Sequence, residues 1–380
     1  MAADTPALAD APAGALTGAP PGALVQGAGQ AGADLPELTV PVHFVAPERC
    51  HWPEMPAEGP ARALPEEVLA GKCNAAVDPW TLRIFHDLRL HSSLVTLGSR
   101  TRADAINVSL LWDFGRKALR PGHFVVLTQS DGYPSPLADV LIRQNDVEPD
   151  GARSFHIPHT PQPGLVPRDP ARGDRVEVLA FKGDRVNLDA RFRSEGFLAE
   201  LARRGVVLRT DFQAADGRQD WGDYSDVDCV LAVRDLTLAD AANKPASKLT
   251  NAWMAGVPAL LGPEPAFQSL RRDPLDYIEV RSPADVLAAI DRLQGEAGLY
   301  RRMVENGRAR AVDYALPAVL TRWITLLNGP IAAAWARWKA RPLALRAMDC
   351  AIKYLREGAA RRDYLSYRDS GPRLLDGVPT

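Results

Sequence analysis

The sequence predicts an α/β protein built from two Rossmann-like doubly wound domains that face each other across a cleft. Two series of short, β-branched apolar runs alternate with helix-prone stretches, and a proline-dense segment separates the two series. In the first series, runs at residues 39–46, 93–97 and 123–128 each end in Gly, Ser, Pro or Asp, as strands feeding the loops of a parallel sheet do. Helices are expected between them at 104–119 and 136–143. Residues 154–168 carry too many prolines for a helix or a central strand and read as a stiff linker. The second series places strands at 176–181, 206–209, 229–233, 259–261 and 277–280, with helices at 188–204 and 283–293. In such sheets ligands bind beyond the carboxyl ends of the strands, so two facing sheets predict a shared cleft.

A chain of 380 residues suits two domains of ordinary size. The expected division is a disordered Ala/Gly/Pro-rich tail over 1–36, a first domain over 37–165, a second over 166–330, and C-terminal helices over 331–380 that cross back to the first domain. The tail holds too little apolar surface to offset the entropy of ordering it. Its Gly27–Gly32 match to a dinucleotide fingerprint has no strand before it and no helix after it, and reads as an accident of composition. A formal net charge of −2 and the absence of any ladder of aromatic and basic residues argue against nucleic acid. Cys50, Cys73, Cys229 and Cys350 are scattered, which fits a reducing compartment and not zinc. Without a leader-like start or a long apolar run, the expected setting is cytoplasmic.

The most informative segment is 243–262. Asn243 reads as a helix N-cap, Pro245 as a first-turn residue, Gly256 as the left-handed stop and Pro258 as the break beyond it. At 100° per residue, Lys244, Ser247, Lys248 and Asn251 share one arc, with Ala246, Leu249, Ala252 and Trp253 opposite. One face packs, while the other offers cations at the positive end of the helix dipole, where a diphosphate would fit; the plainer alternative is a solvated helix face.

The strand-Gly-Asp loop at 181–184, Asp226-x-Asp228 before a strand ending in Arg234-Asp235, the run Lys244-Pro-x-x-Lys248-Leu-x-Asn251-Ala-Trp-x-Ala-Gly-Val-Pro258 and Gly262-Pro-Glu264-x-Ala266 together resemble the C-terminal half of GT-B glycosyltransferases. They look most like the large bacterial retaining, family-four-like group that includes sucrose and lipopolysaccharide sugar transferases. The resemblance is specific over 176–280 and topological before it. It implies a nucleotide-sugar donor site, no separate cofactor, and transfer to a glycan or lipid-linked acceptor, as in the assembly of cell-surface polysaccharide. In that family two glutamates eight positions apart hold the donor sugar and ribose; Asn243 and Asn251 stand there in this chain. Amides keep the hydrogen bonds and lose the charge, which leaves the donor and the retaining route open. The family's diphosphate-binding Arg and Lys have candidates in Lys182 and Arg185, flanking Gly183, with Lys248 the stronger. Arg234 sits at a strand's carboxyl edge, as a donor ligand or as a salt-bridge partner of Asp235 or Asp240. Glu264 suits ribose or sugar hydroxyls, or caps the next helix. An epimerase of the same fold, or an inactive nucleotide-binding scaffold, is the alternative reading.

Asp226 and Asp228 precede their strand, where a metal-binding pair would end one, so they read as a polar turn and no metal is expected. For an acceptor hydroxyl, Asp131 after the run 123–128 and His159 on the linker are the candidate bases. Residues 331–362, rich in Trp, Leu and Arg and broken near Pro342, either brace the first domain through Trp335, Trp338 and Leu345 or lie on an anionic membrane.

Overall fold

The computed structural model of the chain describes residues 35–55, 61–73, 75–213 and 220–376. The expected tail, apart from Leu35 and Pro36, lies outside the described residues, as does the glycine motif within it. The first sheet contains β1 (Val42–Val45), β2 (Val95–Gly98), β3 (Ile106–Leu110), β4 (Phe124–Thr128), β5 (Val140–Arg143) and β6 (Ser154–His156), all parallel in the order β2-β1-β3-β4-β5-β6. The second contains β7 (Val178–Ala180), β8 (Val207–Arg209), β9 (Cys229–Ala232), β10 (Ala259–Leu261) and β11 (Ile278–Glu279), all parallel in the order β11-β10-β9-β7-β8. Numbered within its own domain, each sheet has the same doubly wound order, in which strand one lies between strands two and three. The α/β class and the pair of parallel sheets are those the sequence predicts.

The helices are α1 (Glu66–Lys72), α2 (Arg83–His91), α3 (Glu195–Arg203), α4 (Leu238–Ala241), α5 (Ser247–Ala255), α6 (Pro265–Leu270), α7 (Pro283–Gly295), α8 (Leu299–Ala311), α9 (Leu316–Leu326), α10 (Ala332–Ala340) and α11 (Leu343–Ser370). Two expected helices are instead interior strands. Residues 104–119 contain β3, whose five residues are all buried and whose Asn107 amide donates to the Arg102, Ala105 and Phe124 carbonyls. Residues 136–143 contain β5. The apolar residues of both strands suit one side of a helix equally well. The expected linker gives up its first three residues to the edge strand β6, which ends before Pro158 removes a donor.

The missing crossover helices leave the first sheet to be covered from elsewhere. One face packs against α2 and then against α9 and α10, through Leu320, Trp323, Trp335 and Trp338. Trp323 is fully buried beside Phe44, ring centroids 6.4 Å apart, and Trp338 meets Phe124 edge-on at 5.8 Å. Return to the first domain thus begins at Leu316, well before residue 331. The opposite face, with Val125, Leu127 and Leu141, lies under the 114–119 and 137–138 loops and Cys350 of α11. Trp335 and Trp338 brace as expected, whereas Leu345 is 44% exposed and does not.

Salt links pin α11 to both domains. Glu357 accepts from the Tyr133 and Ser135 hydroxyls, and Lys353 pairs with Asp139 and Asp349. In the last turn of α11 the Arg368 carbonyl accepts from the Thr237 hydroxyl, and just beyond it Arg373 pairs with Asp235. The linker is likewise held from both sides: Gly164 N–H donates to Glu66 and Gln162 N–H to Asn251.

Candidate functional site

The shared strand order puts a topological switch point between β7 and β9 of the second sheet, where loops diverge and leave a crevice at the carboxyl ends. The chain delivers Gly183 after β7, Arg234 after β9 and Glu264 after β10 to this point, with the N-terminus of α5 beside them. Glu264 is wholly buried and takes both donors of the Arg234 guanidinium, Nε at 2.8 Å and one Nη at closer range. This is a bidentate, charge-assisted pair that fixes the arginine's plane. The salt-bridge partner of Arg234 is therefore Glu264, not Asp235 or Asp240, which pair with Arg373 and Lys244. Both oxygens of Glu264 thus support the arginine, and the residue occupies the N-cap position of α6 without a side-chain cap bond.

Lys248 lies against this pair. Its Nζ is 5.5 Å from the Phe181 ring centre, and Gly183 approaches it so closely that an added Cβ would stand 3.2 Å away. Among the described residues, no carboxylate lies within ion-pairing distance of it. Burial, and then the neighbouring Arg234, push its pKa down to about 7, against a weaker opposite pull from Glu264 and Asp131. A lysine held this way gains from any anion that enters. The helix carrying it starts at Ser247 and has no side-chain cap, so Asn243 is not its N-cap. Uncapped N–H groups and the dipole of α5 add to the positive potential at the same place. Gly256 does stop the helix, at φ +72°.

Other sequence candidates divide sharply. Lys182 is buried and turned away, donating to the Asp223 carbonyl and lying over the Phe212 ring at 3.4 Å, with Tyr224 beyond. Burial lowers its pKa to about 8. Arg185 is exposed in the Arg185–Asn187 turn that Asp184 caps. Asn251 is buried with its carbonyl oxygen accepting from the linker at Gln162, 3.3 Å away, and so ties the linker to the second domain. Asp228 is spent on Arg168, Arg172 and the N–H groups of Glu177 and Val178, and Asp226 pairs with Arg209, which makes both structural.

From the first domain, the loop after β4 reaches across. Ser130 sits at φ +49°, a left-handed conformation uncommon outside glycine, and presents Asp131 to the second domain. Asp131 accepts from Gln144 at 2.6 Å and from Lys244 at 3.1 Å, while Lys244 also pairs with Asp240 at 3.1 Å. Lys244 is thus a tether, while Lys248 has no ion-pair partner among the described residues. His159 stands edge-on to Trp80, centroids 5.3 Å apart, on the wall that also holds Ser247. Its Nδ1 lies 2.9 Å from the Thr160 carbonyl, which only accepts, so Nδ1 carries the proton and Nε2 keeps its lone pair. Burial lowers its pKa, so that the ring stays neutral.

No protein-family model and no curated protein matches this chain. Solved structures similar to it include Anabaena HepE in complex with UDP-glucose, at 11% identity and TM-score 0.45 over 76% of this chain and 98% of that one. An α1,3-fucosyltransferase with GDP-fucose matches at 9% and 0.44 over 82% and 92%. TarM matches at 9% and 0.43 over 60% of this chain and 55% of its own, little more than half its length. Likeness of this degree says nothing of activity, and the α/β class rests on the sheet orders given above.

Residues that sequence reading missed form the clasp between the domains. Gln129 donates to the Asn243 side chain at 2.6 Å, Gln144 to the Asn243 carbonyl at 2.7 Å, and Asn145 to the Ala242 and Lys244 carbonyls at 2.7 and 3.0 Å. All three amides directly follow β4 or β5, so the available signal was position at a strand's carboxyl end. Asp113, just past β3 at the first sheet's own switch point, was missed because that stretch reads as helix. One of its carboxylate oxygens is buried and, among the described residues, unpartnered; burial, with Asp78 nearby, raises its pKa. Beside the clasp opens a cavity of about 560 Å³, walled by Gln129, Asn145, Arg143, Asn243, Lys353 and Arg356.

Proposed function

We propose that this chain is a glycosyltransferase that moves a sugar from a nucleotide-sugar to a glycan or lipid-linked acceptor, in cytoplasmic assembly of cell-surface polysaccharide. The observation that carries the reading is Lys248: a half-buried lysine with no carboxylate partner among the described residues, beside the braced Arg234, at the uncapped start of α5 and at a switch point. Such a place favours two linked phosphates over a single carboxylate, because two cations and a helix N-terminus converge on it. Gly183 leaves the backbone room to approach the same anion.

In this reading Lys248 and Arg234 bind the donor diphosphate and neutralise the charge that grows on it as the glycosidic bond breaks. Glu264 keeps Arg234 aimed. Asp131 and His159, from the other side of the cleft, are available to an acceptor hydroxyl. The neutral His159 with Nε2 free is in the form a base requires, and Asp131 gains freedom when a phosphate competes for Lys244.

The test is release of nucleoside diphosphate from UDP-, GDP-, ADP-, CDP- and TDP-sugars by the purified chain, with and without a panel of acceptor glycans, beside thermal-shift measurements with the free diphosphates. Selective stabilisation by one diphosphate, together with acceptor-dependent release, supports the proposal. No stabilisation by any of them would remove it.

A further inference from the structure

The C-terminal helix α11 has one face that no described residue covers. Leu345, Met348, Ile352 and Leu355 recur at spacings of three and four along it, with exposures of 44, 56, 40 and 75%. At 100° per residue they form one stripe, and Lys353 and Glu357, both buried, lie on the other side. Exposed apolar residues scattered singly need no explanation, but a continuous stripe of four large ones does.

The charges around the stripe are sorted. Over 331–362 one acidic residue, Glu357, is buried against Tyr133 and Ser135, and the other, Asp349, pairs with Lys353 with 30% of its side chain exposed; Asp363 and Asp369, both exposed, follow toward the end of the helix. The exposed charges on the same stretch are Arg337, Lys339, Arg356, Arg361 and Arg362. Arg356 and Arg362 fall on either edge of the stripe by helical geometry. An outward apolar band beside cations that outnumber the exposed carboxylates is complementary to an anionic bilayer surface.

A second copy of the helix is the other natural occupant of such spacing, and the sequence argues against it. The apolar repeat lasts two heptads before Ala359 and Arg362 replace its next members, short of the three or four that a coiled coil needs.

We propose that the Leu345, Met348, Ile352 and Leu355 face of α11 docks on an anionic phospholipid bilayer. The helix lies flat, its inner face still bound to the first domain, with Arg356 at the headgroups. Because Ile352 and Arg356 also border the 560 Å³ cavity, docking turns the cavity's mouth toward the lipid surface. The proposal stands independently of the sugar-transfer reading.

The experiment is flotation of the full chain with vesicles of phosphatidylcholine alone and of phosphatidylcholine mixed with phosphatidylglycerol. Partition is expected only with phosphatidylglycerol and should fall as salt rises. Replacing Met348 and Leu355 together by Ser should lower it by about tenfold or more, and R356Q with R362Q by roughly the same. These side chains are exposed, so an unchanged circular-dichroism melt shows that the variants fold. Equal partition of wild type and the serine variant, or no partition with phosphatidylglycerol, overturns the proposal. So does a dimer in sedimentation velocity that the serine substitutions dissolve.

Discussion

Replacing Lys248 by Met should make the empty protein more stable and its diphosphate binding weaker. The lysine's pKa falls from 10.5 in a free chain to about 7 in the fold, a difference of about 3.5 units, and each unit is about 1.4 kcal/mol. The limiting cost of carrying this group is therefore about 5 kcal/mol, and solvent at a half-buried site brings it to on the order of 3 kcal/mol. The sign follows from proton counts. Below pH 7 both states are charged and the full cost is present. Between pH 7 and 10.5 the unfolded chain binds more protons, so stability rises with pH, and above 10.5 the cost is gone.

Urea unfolding of wild type across pH 6 to 10 should show this rise, and the Met variant should lack the part due to Lys248 while lying higher at neutral pH. Calorimetry of UDP and GDP binding near pH 8, in buffers of different ionisation enthalpy, should show up to about one proton taken up by wild type as the ligand charges Lys248, and none by the variant. A Met variant that is less stable at neutral pH, or that binds either diphosphate with wild-type affinity and proton uptake, would refute the reasoning.

Glu264→Gln leaves Arg234 buried without its carboxylate and should cost about 3 kcal/mol in chemical unfolding; a loss under about 1 kcal/mol would mean the pair does not brace the arginine. Asp131→Asn should lower acceptor-dependent turnover by about a hundredfold while leaving diphosphate affinity within about threefold, and equal losses in both would assign Asp131 to the donor side. Gly307→Ala places a Cβ 2.7 Å from Cδ1 of Trp253, where α8 crosses α5, and should destabilise by about 1–3 kcal/mol in the same unfolding assay.

The parts of the fold that the chain showed in advance are those set by neighbours in sequence. The left-handed Gly256, the strands β1, β4, β7, β9 and β10, and the placement of Arg234 past a strand end all follow from runs a few residues long. The failures were β3 and β5, whose apolar residues also suit one side of a helix. In the site, the residue types were legible and their partners were not. Arg234 and Glu264 stand thirty positions apart and meet because β9 and β10 pair in register. Lys182 and Lys248 look alike on paper, yet one turns into the Phe212 and Tyr224 rings and the other lies beside Phe181 and Gly183. The amide clasp from Gln129, Gln144 and Asn145 had no motif at all.

By itself, then, the sequence determined that two parallel α/β units would form and which carboxyl ends would carry charge, because strand propensity, glycine stops and proline breaks act through bonds. Tertiary structure alone decided that the return to the first domain would begin at Leu316, that Asn251 would hold the linker, and that Lys248 would have no ion-pair partner among the described residues. Burial and ion pairing depend on distance through space, and strand order sets that distance.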